Sequence, residues 1–217
     1  MAKFEFEFDI DADEMMKLMV EAIEEIDPDD LAYLFATGKS ELEIRNQIAL
    51  HMHRNSRANQ VVSREWNRHD LAVLENGRPR IVVEGKSWIH ADAADPHKLT
   101  RGDKSILKGL ERDLEKLAET RAKNSDVSTF ITMVLFTIDL EGCSARQLKE
   151  AHIKYAGTHL RGIKNHADAE ELAGRGRGAL SQFLTEYGVV KRHPLNVGQY
   201  LRFKVEADFF LLQPTLN

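Results

Sequence analysis

The sequence predicts an α/β protein with a mixed central sheet covered by helices. From residue 40 onward, a helical pattern is followed by three strand patterns, a second helix and a strand of almost unbroken apolar residues. Helices and strands that alternate in this way are typical of a sheet with helices on its faces. We therefore expect one α/β domain over residues 40–217, preceded by an acidic strand-and-helix extension over residues 1–39.

The extension begins with phenylalanine and acidic residues in alternation, which predicts a strand over residues 3–10. Apolar residues at helical spacing then predict a helix over residues 11–26 and a short one over 31–35. The first helix of the domain is expected over residues 41–54. Ser40 with Glu43 three residues later has the pattern of a capping box at its start.

The rest of the chain supplies the sheet and its remaining helices. Strands are expected over 61–66, 70–74, 80–84, 129–138 and 200–212, and helices over 105–122, 144–160 and 179–187. Asn76-Gly77 between two strand patterns indicates a β-hairpin. The glycine-rich run Gly174–Gly178 predicts a flexible loop.

Composition and charge limit the functional classes. Residues 1–43 carry a net charge of −11 and the remainder +6, so an acidic segment precedes a mildly basic body. A single cysteine, Cys143, excludes a disulfide framework and a cysteine-rich zinc site, and it favours a reducing, cytoplasmic setting. The N-terminus lacks the layout of a secretory signal. The longest apolar run, residues 130–138, is too short to span a membrane.

The chemistry is concentrated around the hairpin. Asp70 opens one strand, and the next strand ends in Glu84-Gly85-Lys86 after three apolar residues. Half-burying these charges is costly unless something compensates them, and a divalent cation held by Asp70 and Glu84 would do so. Oxygen ligands favour Mg²⁺ or Mn²⁺, and the Gly85 carbonyl is a third candidate ligand. Such a metal would promote phosphodiester hydrolysis, with Lys86 orienting the water or stabilising developing charge.

This hypothesis requires Asp70 and Glu84 to lie on one face of the hairpin. A two-residue turn without a bulge would place them on opposite faces. We therefore predict a three-residue loop that pairs Leu74 with Arg78, or another bulge that gives the same parity.

The Asp-x13-Glu-Gly-Lys hairpin resembles the core of the PD-(D/E)XK nuclease superfamily, which has the restriction-endonuclease-like fold. His69 stands where that motif has proline. The resemblance covers about half of the chain, residues 40–138, and implies a Mg²⁺-dependent DNA endonuclease, of restriction type as our first expectation. It implies Glu43 as a further metal ligand, and phosphate contacts from the basic residues Lys98, Arg101, Lys104 and Lys108. Cutting both strands of a duplex with one site per chain would require a homodimer.

Three alternatives remain at the level of sequence. The chain is a repair or recombination nuclease, an RNA-cutting nuclease, or a non-catalytic nucleic-acid-binding or interaction module on the same fold. The acidic extension has three interpretations of its own: a solvated cap on the core, a dimerisation element with Met15, Leu18, Met19 and Ile23 at its interface, or a mimic of DNA charge that covers the basic body.

Overall fold

A mixed sheet forms the centre of the protein. The computed structural model of the chain describes residues 10–38, 40–101, 105–166 and 168–216, and the strand expected over 3–10 lies outside them except for Ile10. The seven strands of the described residues are β1 (Gln60–Arg64), β2 (Leu71–Glu75), β3 (Arg78–Ile89), β4 (Ser128–Ile138), β5 (Gly188–Leu195), β6 (Gln199–Tyr200) and β7 (Phe203–Pro214). The order across the sheet is β1-β2-β3-β4-β7-β5, and β6 pairs with β7.

The sheet is mixed because β3 and β4 run parallel, whereas the other paired strands are antiparallel. The helices in the described residues are α1 (Ala12–Glu24), α2 (Pro28–Thr37), α3 (Ser40–Arg54), α4 (His90–Ala94), α5 (Pro96–Thr100), α6 (Ile106–Lys123), α7 (Ala145–Glu150), α8 (Ala156–Lys164) and α9 (Ala169–Leu184). The predicted α/β class with a mixed sheet and flanking helices is confirmed. None of these helices combines the length and apolar character that crossing a lipid bilayer requires.

Two apolar layers cover the two faces of the sheet. Val83 belongs to the layer with α1, α2 and α3, and its neighbour Val82 belongs to the layer with α6 and α9. This alternation follows from the two-residue period of a strand. Three of the four residues considered for a dimer interface, Met15, Met19 and Ile23, are at most 1% exposed and fill the core of their own chain.

The β2–β3 hairpin has a tight turn and a bulge further along. Glu75 pairs with Arg78 across Asn76-Gly77, and the register shifts between Leu74 and Val73. Asn76 and Gly77 both have positive φ, at 50° and 79°, as a type I′ turn requires. The predicted three-residue loop is wrong. The alternative prediction, another bulge that gives the same parity, is confirmed for the paired residues, because Leu71 pairs with Val83. Asp70 lies outside the paired register, and its side chain does not share a face with that of Glu84: Asp70 contacts Arg45 of α3, and Glu84 contacts Lys116 of α6.

Several element predictions need correction. Ser40 does not cap α3: it is the first residue of the helix, and its Oγ lies 3.0 Å from Ser87 Oγ. The predicted loop Gly174–Gly178 lies inside α9, where Asp168 caps the helix and Gly176 packs against the backbone of His90. A Cβ at Gly176 would lie 2.5 Å from the His90 carbonyl oxygen, so the glycine serves close packing and not a turn.

Other boundaries shift for local reasons. The helix expected over residues 144–160 is split into α7 and α8, because His152 and Tyr155 between them have positive φ. Strand β5 was not predicted, since its burial follows no clear period-two pattern. The strand predicted up to Trp66 ends at Arg64 and continues as a 3₁₀ turn, Trp66–Arg68.

Candidate functional site

Asp70 lies between the 3₁₀ turn and β2, beside the edge of β3. Its Oδ2 accepts a hydrogen bond from the Gly85 backbone N–H at 2.8 Å, and its Oδ1 accepts one from Arg45 at 3.2 Å. Arg45 comes from α3, so this carboxylate is tied to that helix. The Asp70 side chain remains 23% exposed, and its two oxygens have lone pairs beyond those used by the two contacts.

Glu84 is buried towards α6. Its side chain is 1% exposed, Oε1 lies 2.6 Å from His69 Nδ1, and Oε2 accepts from Lys116 Nζ at 2.6 Å. His69 in turn places Nε2 2.7 Å from Thr120 Oγ1 on α6. The hairpin therefore brings Asp70 and Glu84 close together at the start of β2, but their side chains contact different helices, α3 for Asp70 and α6 for Glu84.

Lys86 is held by an aspartate that sequence reasoning missed. Its Nζ lies 2.7 Å from Asp113 Oδ2 and donates to the Gly85 carbonyl at 3.1 Å. Burial alone would lower the pKa of Lys86, but the attraction of Asp113 and the hydrogen bond to it raise that pKa above its usual value. The ammonium is therefore charged at neutral pH.

Glu84, Lys116, Asp113 and Lys86 form a continuous series of alternating charge along α6, with His69 hydrogen-bonded at its end. Lys116 Nζ reaches Asp113 Oδ1 at 3.5 Å as well as Glu84, so the series runs His69, Glu84, Lys116, Asp113, Lys86. We call it the α6 charge network. The sequence did carry a signal for it: Asp113 lies at an apolar-stripe position between Leu110 and Leu117, where a buried carboxylate needs a partner.

A small recess lies between α3 and the hairpin, on the side of the sheet that α3 covers. Its lining is apolar except for Glu41, Arg45, Asp70, Lys86, Thr132 and the backbone of Gly85, and its volume is about 20 Å³. This is room for one water-sized particle. A Cβ at Gly85 would lie 3.8 Å from Asp70 Oδ2 and 3.9 Å from Glu41 Cγ, so the glycine leaves space between the two acids.

The acid that α3 contributes is Glu41. Burial raises the pKa of Glu41, and neighbouring Lys86 and Asp70 act on it in opposite directions. The predicted ligand Glu43 is exposed and does not line the recess. The two positions differ by about 200° around a helix, and the position of the capping residue did not define which side faces the sheet.

The donors of the recess suit a hard divalent cation. Mg²⁺ typically takes one or two carboxylates and completes its shell with water and substrate phosphate. Asp70 and Glu41 supply two carboxylates, and the Gly85 carbonyl is adjacent. Within the described residues there is no group of three or more His, Cys, Asp or Glu that could hold a metal ion.

A larger cleft of about 1100 Å³ adjoins the recess, and Glu41 lines both. Of the basic residues predicted to contact phosphate, Lys98 lines this cleft. Arg101 is exposed just after α5, and Lys108 is exposed on α6, where it pairs with Glu111 at 2.9 Å. Lys104 lies outside the described residues. The structure therefore does not gather these four residues on one surface that it describes.

No protein-family model matches the chain, and no curated protein or solved structure matches it either.

Proposed function

We propose that this protein is a metal-dependent nuclease of the restriction-endonuclease-like type. The observation that carries the proposal is the recess, in which Asp70 and Glu41 face the backbone of Gly85 beside the charged Lys86. Two carboxylates and a carbonyl could hold a divalent cation, and a fixed ammonium could stabilise charge that develops in phosphodiester hydrolysis. The cleft beside the recess gives a nucleic-acid strand a place to lie.

Each residue has a separate task in this proposal. Asp70, Glu41 and the Gly85 carbonyl would hold Mg²⁺ or Mn²⁺, which would polarise the phosphate and lower the pKa of a bound water. Hydrolysis joins the water oxygen to phosphorus and breaks the bond to the leaving oxygen, which takes up a proton. Lys86, held charged by Asp113, would stabilise the negative charge that develops on the phosphate. Glu84 would act through Lys116 and Asp113 as a positioning residue.

A second candidate is a non-catalytic nucleic-acid-binding module. It is favoured by one observation, that Glu84 has both oxygens partnered by protein groups and Asp70 has an arginine partner. Charges that are compensated inside the protein need no metal to explain their burial. The two candidates differ in what a divalent cation does to the protein.

Cleavage and metal binding test both candidates together. Supercoiled plasmid, single-stranded DNA and RNA are incubated with Mg²⁺, Mn²⁺ or EDTA, and Mn²⁺-dependent thermal stabilisation is recorded in parallel. We expect metal-dependent cleavage, with a loss of about 10²-fold or more in Asp70→Asn and Lys86→Ala. The stabilisation by Mn²⁺ should disappear in Asp70→Asn.

Lys149→Ala is the matched control, since Lys149 is exposed on α7 outside the recess and the cleft. Cleavage that persists in Asp70→Asn would contradict the assigned site. Absence of both cleavage and a Mn²⁺ effect in the wild type would favour the non-catalytic module. Discrete plasmid fragments would support a restriction-type role, and a smear would support a less specific nuclease.

A further inference from the structure

The cleft beside the recess has two unlike walls. One wall is a face of α8 and the residue before it, with Tyr155, Thr158 and Arg161 exposed or half-buried. The other wall is formed by the start of α3 and by β3 at Ser87, and α4 and α5 close one end with Asp92 and Lys98. Gly162 lets α8 lie close to α4, because a Cβ there would be 2.6 Å from Ala91 Cβ.

The size of the cleft selects among nucleic-acid forms. A volume of about 1100 Å³ is at the upper end of sites that enclose small ligands. It accommodates a short stretch of one strand. A space of this volume does not enclose a B-form duplex, which is wider than its own major groove of about 12 Å.

The charges that line the cleft lead to the same choice. Lys98, Lys154 and Arg161 are accompanied by three carboxylates, Glu41, Asp92 and Asp95, so the cleft is not a uniformly basic track for a duplex backbone. Burial raises the pKa of Asp92, and the nearby Lys98 acts on it in the opposite direction. A few phosphate contacts combined with base stacking suit this mixed lining.

Tyr155 provides a surface for stacking. It is 55% exposed at the mouth of the cleft, and its positive φ of 58° holds it just before the first residue of α8. Lys154 Nζ lies 5.1 Å from the centre of the Tyr155 ring and donates to the Gly38 carbonyl at 3.3 Å. A base on the exposed ring would therefore have a fixed cation nearby for the adjoining phosphate.

We propose that this cleft binds an unpaired segment of nucleic acid, with a base stacked on Tyr155 and phosphates beside Lys154 and Arg161. The proposal deepens the proposed nuclease function and rests on it for the position of the scissile phosphate, because Glu41 joins the cleft to the recess. It makes the substrate a single strand, or an overhang or flap, and not a blunt duplex. A single strand is cut at one site, so this substrate does not require the homodimer.

Fluorescence anisotropy of end-labelled oligonucleotides tests the proposal in EDTA, where metal-dependent hydrolysis does not interfere. The full chain is titrated into a 12-nucleotide single strand, the same strand in a blunt duplex, and a duplex with a single-stranded overhang, as DNA and as RNA. We expect the single strand and the overhang to bind about tenfold more tightly than the blunt duplex. Tyr155→Ala should lose about tenfold in affinity for the single strand, and Tyr155→Phe should keep it.

Lys164→Ala is the matched control, because Lys164 is exposed on the same helix but does not line the cleft. Thermal melts show whether each variant is folded. Equal affinity for duplex and single strand, no binding of either, or an unchanged affinity in folded Tyr155→Ala would each overturn the proposal. Tyr155-dependent binding without cleavage would uphold the cleft and reject the nuclease, whereas Tyr155-independent cleavage of blunt duplex would do the reverse.

Discussion

Two glutamates on α3 show what a single residue can decide. Glu41 and Glu43 have the same side chain and lie two positions apart, but Glu41 lines the recess and Glu43 is exposed. The sequence predicts that α3 brings a carboxylate to the site. It does not define which one, because the apolar stripe is broad enough to allow either orientation.

Titration of Glu41 should be visible in the stability of the protein. Burial raises its pKa above the ordinary 4.5, so between that value and the raised one the folded state keeps a proton that the unfolded state has lost. The free energy of unfolding therefore falls as pH rises through this window. Glu41→Gln has no such titration, so its stability relative to wild type should increase over the window and then level off.

Urea unfolding at a series of pH values measures this difference. Glu43→Gln is the matched control, since it makes the same change at an exposed position of the same helix. A flat difference for Glu41→Gln would contradict the burial of its carboxyl group.

Helix α6 is an element whose position the sequence predicts but whose contacts it does not. Its amphipathic pattern predicts the helix, which the structure has over Ile106–Lys123, and Asp113 on its apolar side is a signal of a buried partner. The identity of the partners could not be predicted, because Glu84 and Lys86 reach α6 only through the register of the hairpin. That register depends on a bulge between Val73 and Leu74. The sequence predicts that a bulge is present, but not where it lies.

The α6 charge network should be sensitive to the loss of one member. Lys116→Met would leave Glu84 Oε2 without its ammonium at a site where the carboxylate is 1% exposed. We expect the free energy of unfolding to fall by about 2 kcal/mol, between the values for an exposed and a fully buried pair, because Lys116 itself is partly exposed. Urea denaturation measures the change, and Lys123→Met at an exposed position of the same helix is the control.

A double variant separates the pair from its surroundings. In Glu84→Gln/Lys116→Met the carboxylate that Lys116 compensates is absent, so the loss should be smaller than the sum of the two single losses. Additive losses would show that Glu84 and Lys116 do not interact. Lys86→Ala melts in the same series would show whether the far end of the network is coupled to the near end.

At the scale of the whole molecule, the sequence predicts the class of fold better than it predicts where the domain begins and which strands complete the sheet. The mixed sheet with flanking helices follows from periodicity, since each element has its own apolar face. The pairing of β5 and β7 at the far side of the sheet joins strands that are close in sequence but carries no turn signal as plain as Asn76-Gly77. The boundary predicted at residue 39 rests on the acidic charge of the segment before it. The charged residues of α1 lie on its exposed side, so they carry no information about its buried side.

The buried side of α1 predicts that the acidic segment is indispensable to the fold. Met19 is 0% exposed and packs in the same layer as Ile48 and Phe209. Met19→Ala removes a core side chain, and we expect the free energy of unfolding to fall by about 2–5 kcal/mol. Glu21→Ala on the exposed side of the helix should change it little, because its ion pair with Lys17 is a surface pair at 4.0 Å.

Removal of residues 1–26 makes the same argument more sharply. A chain without α1 would expose the apolar residues of α3, β5 and β7 that the helix covers, and we expect it to be unfolded or aggregated by circular dichroism and size-exclusion chromatography. A detachable cap would behave otherwise: the shortened chain would melt cooperatively near the wild-type temperature, and Met19→Ala would cost no more than Glu21→Ala. The acidic residues of α1 would then be free to act as a removable cover. In the structure they are carried by a helix whose apolar side cannot leave without opening the core that positions Glu41.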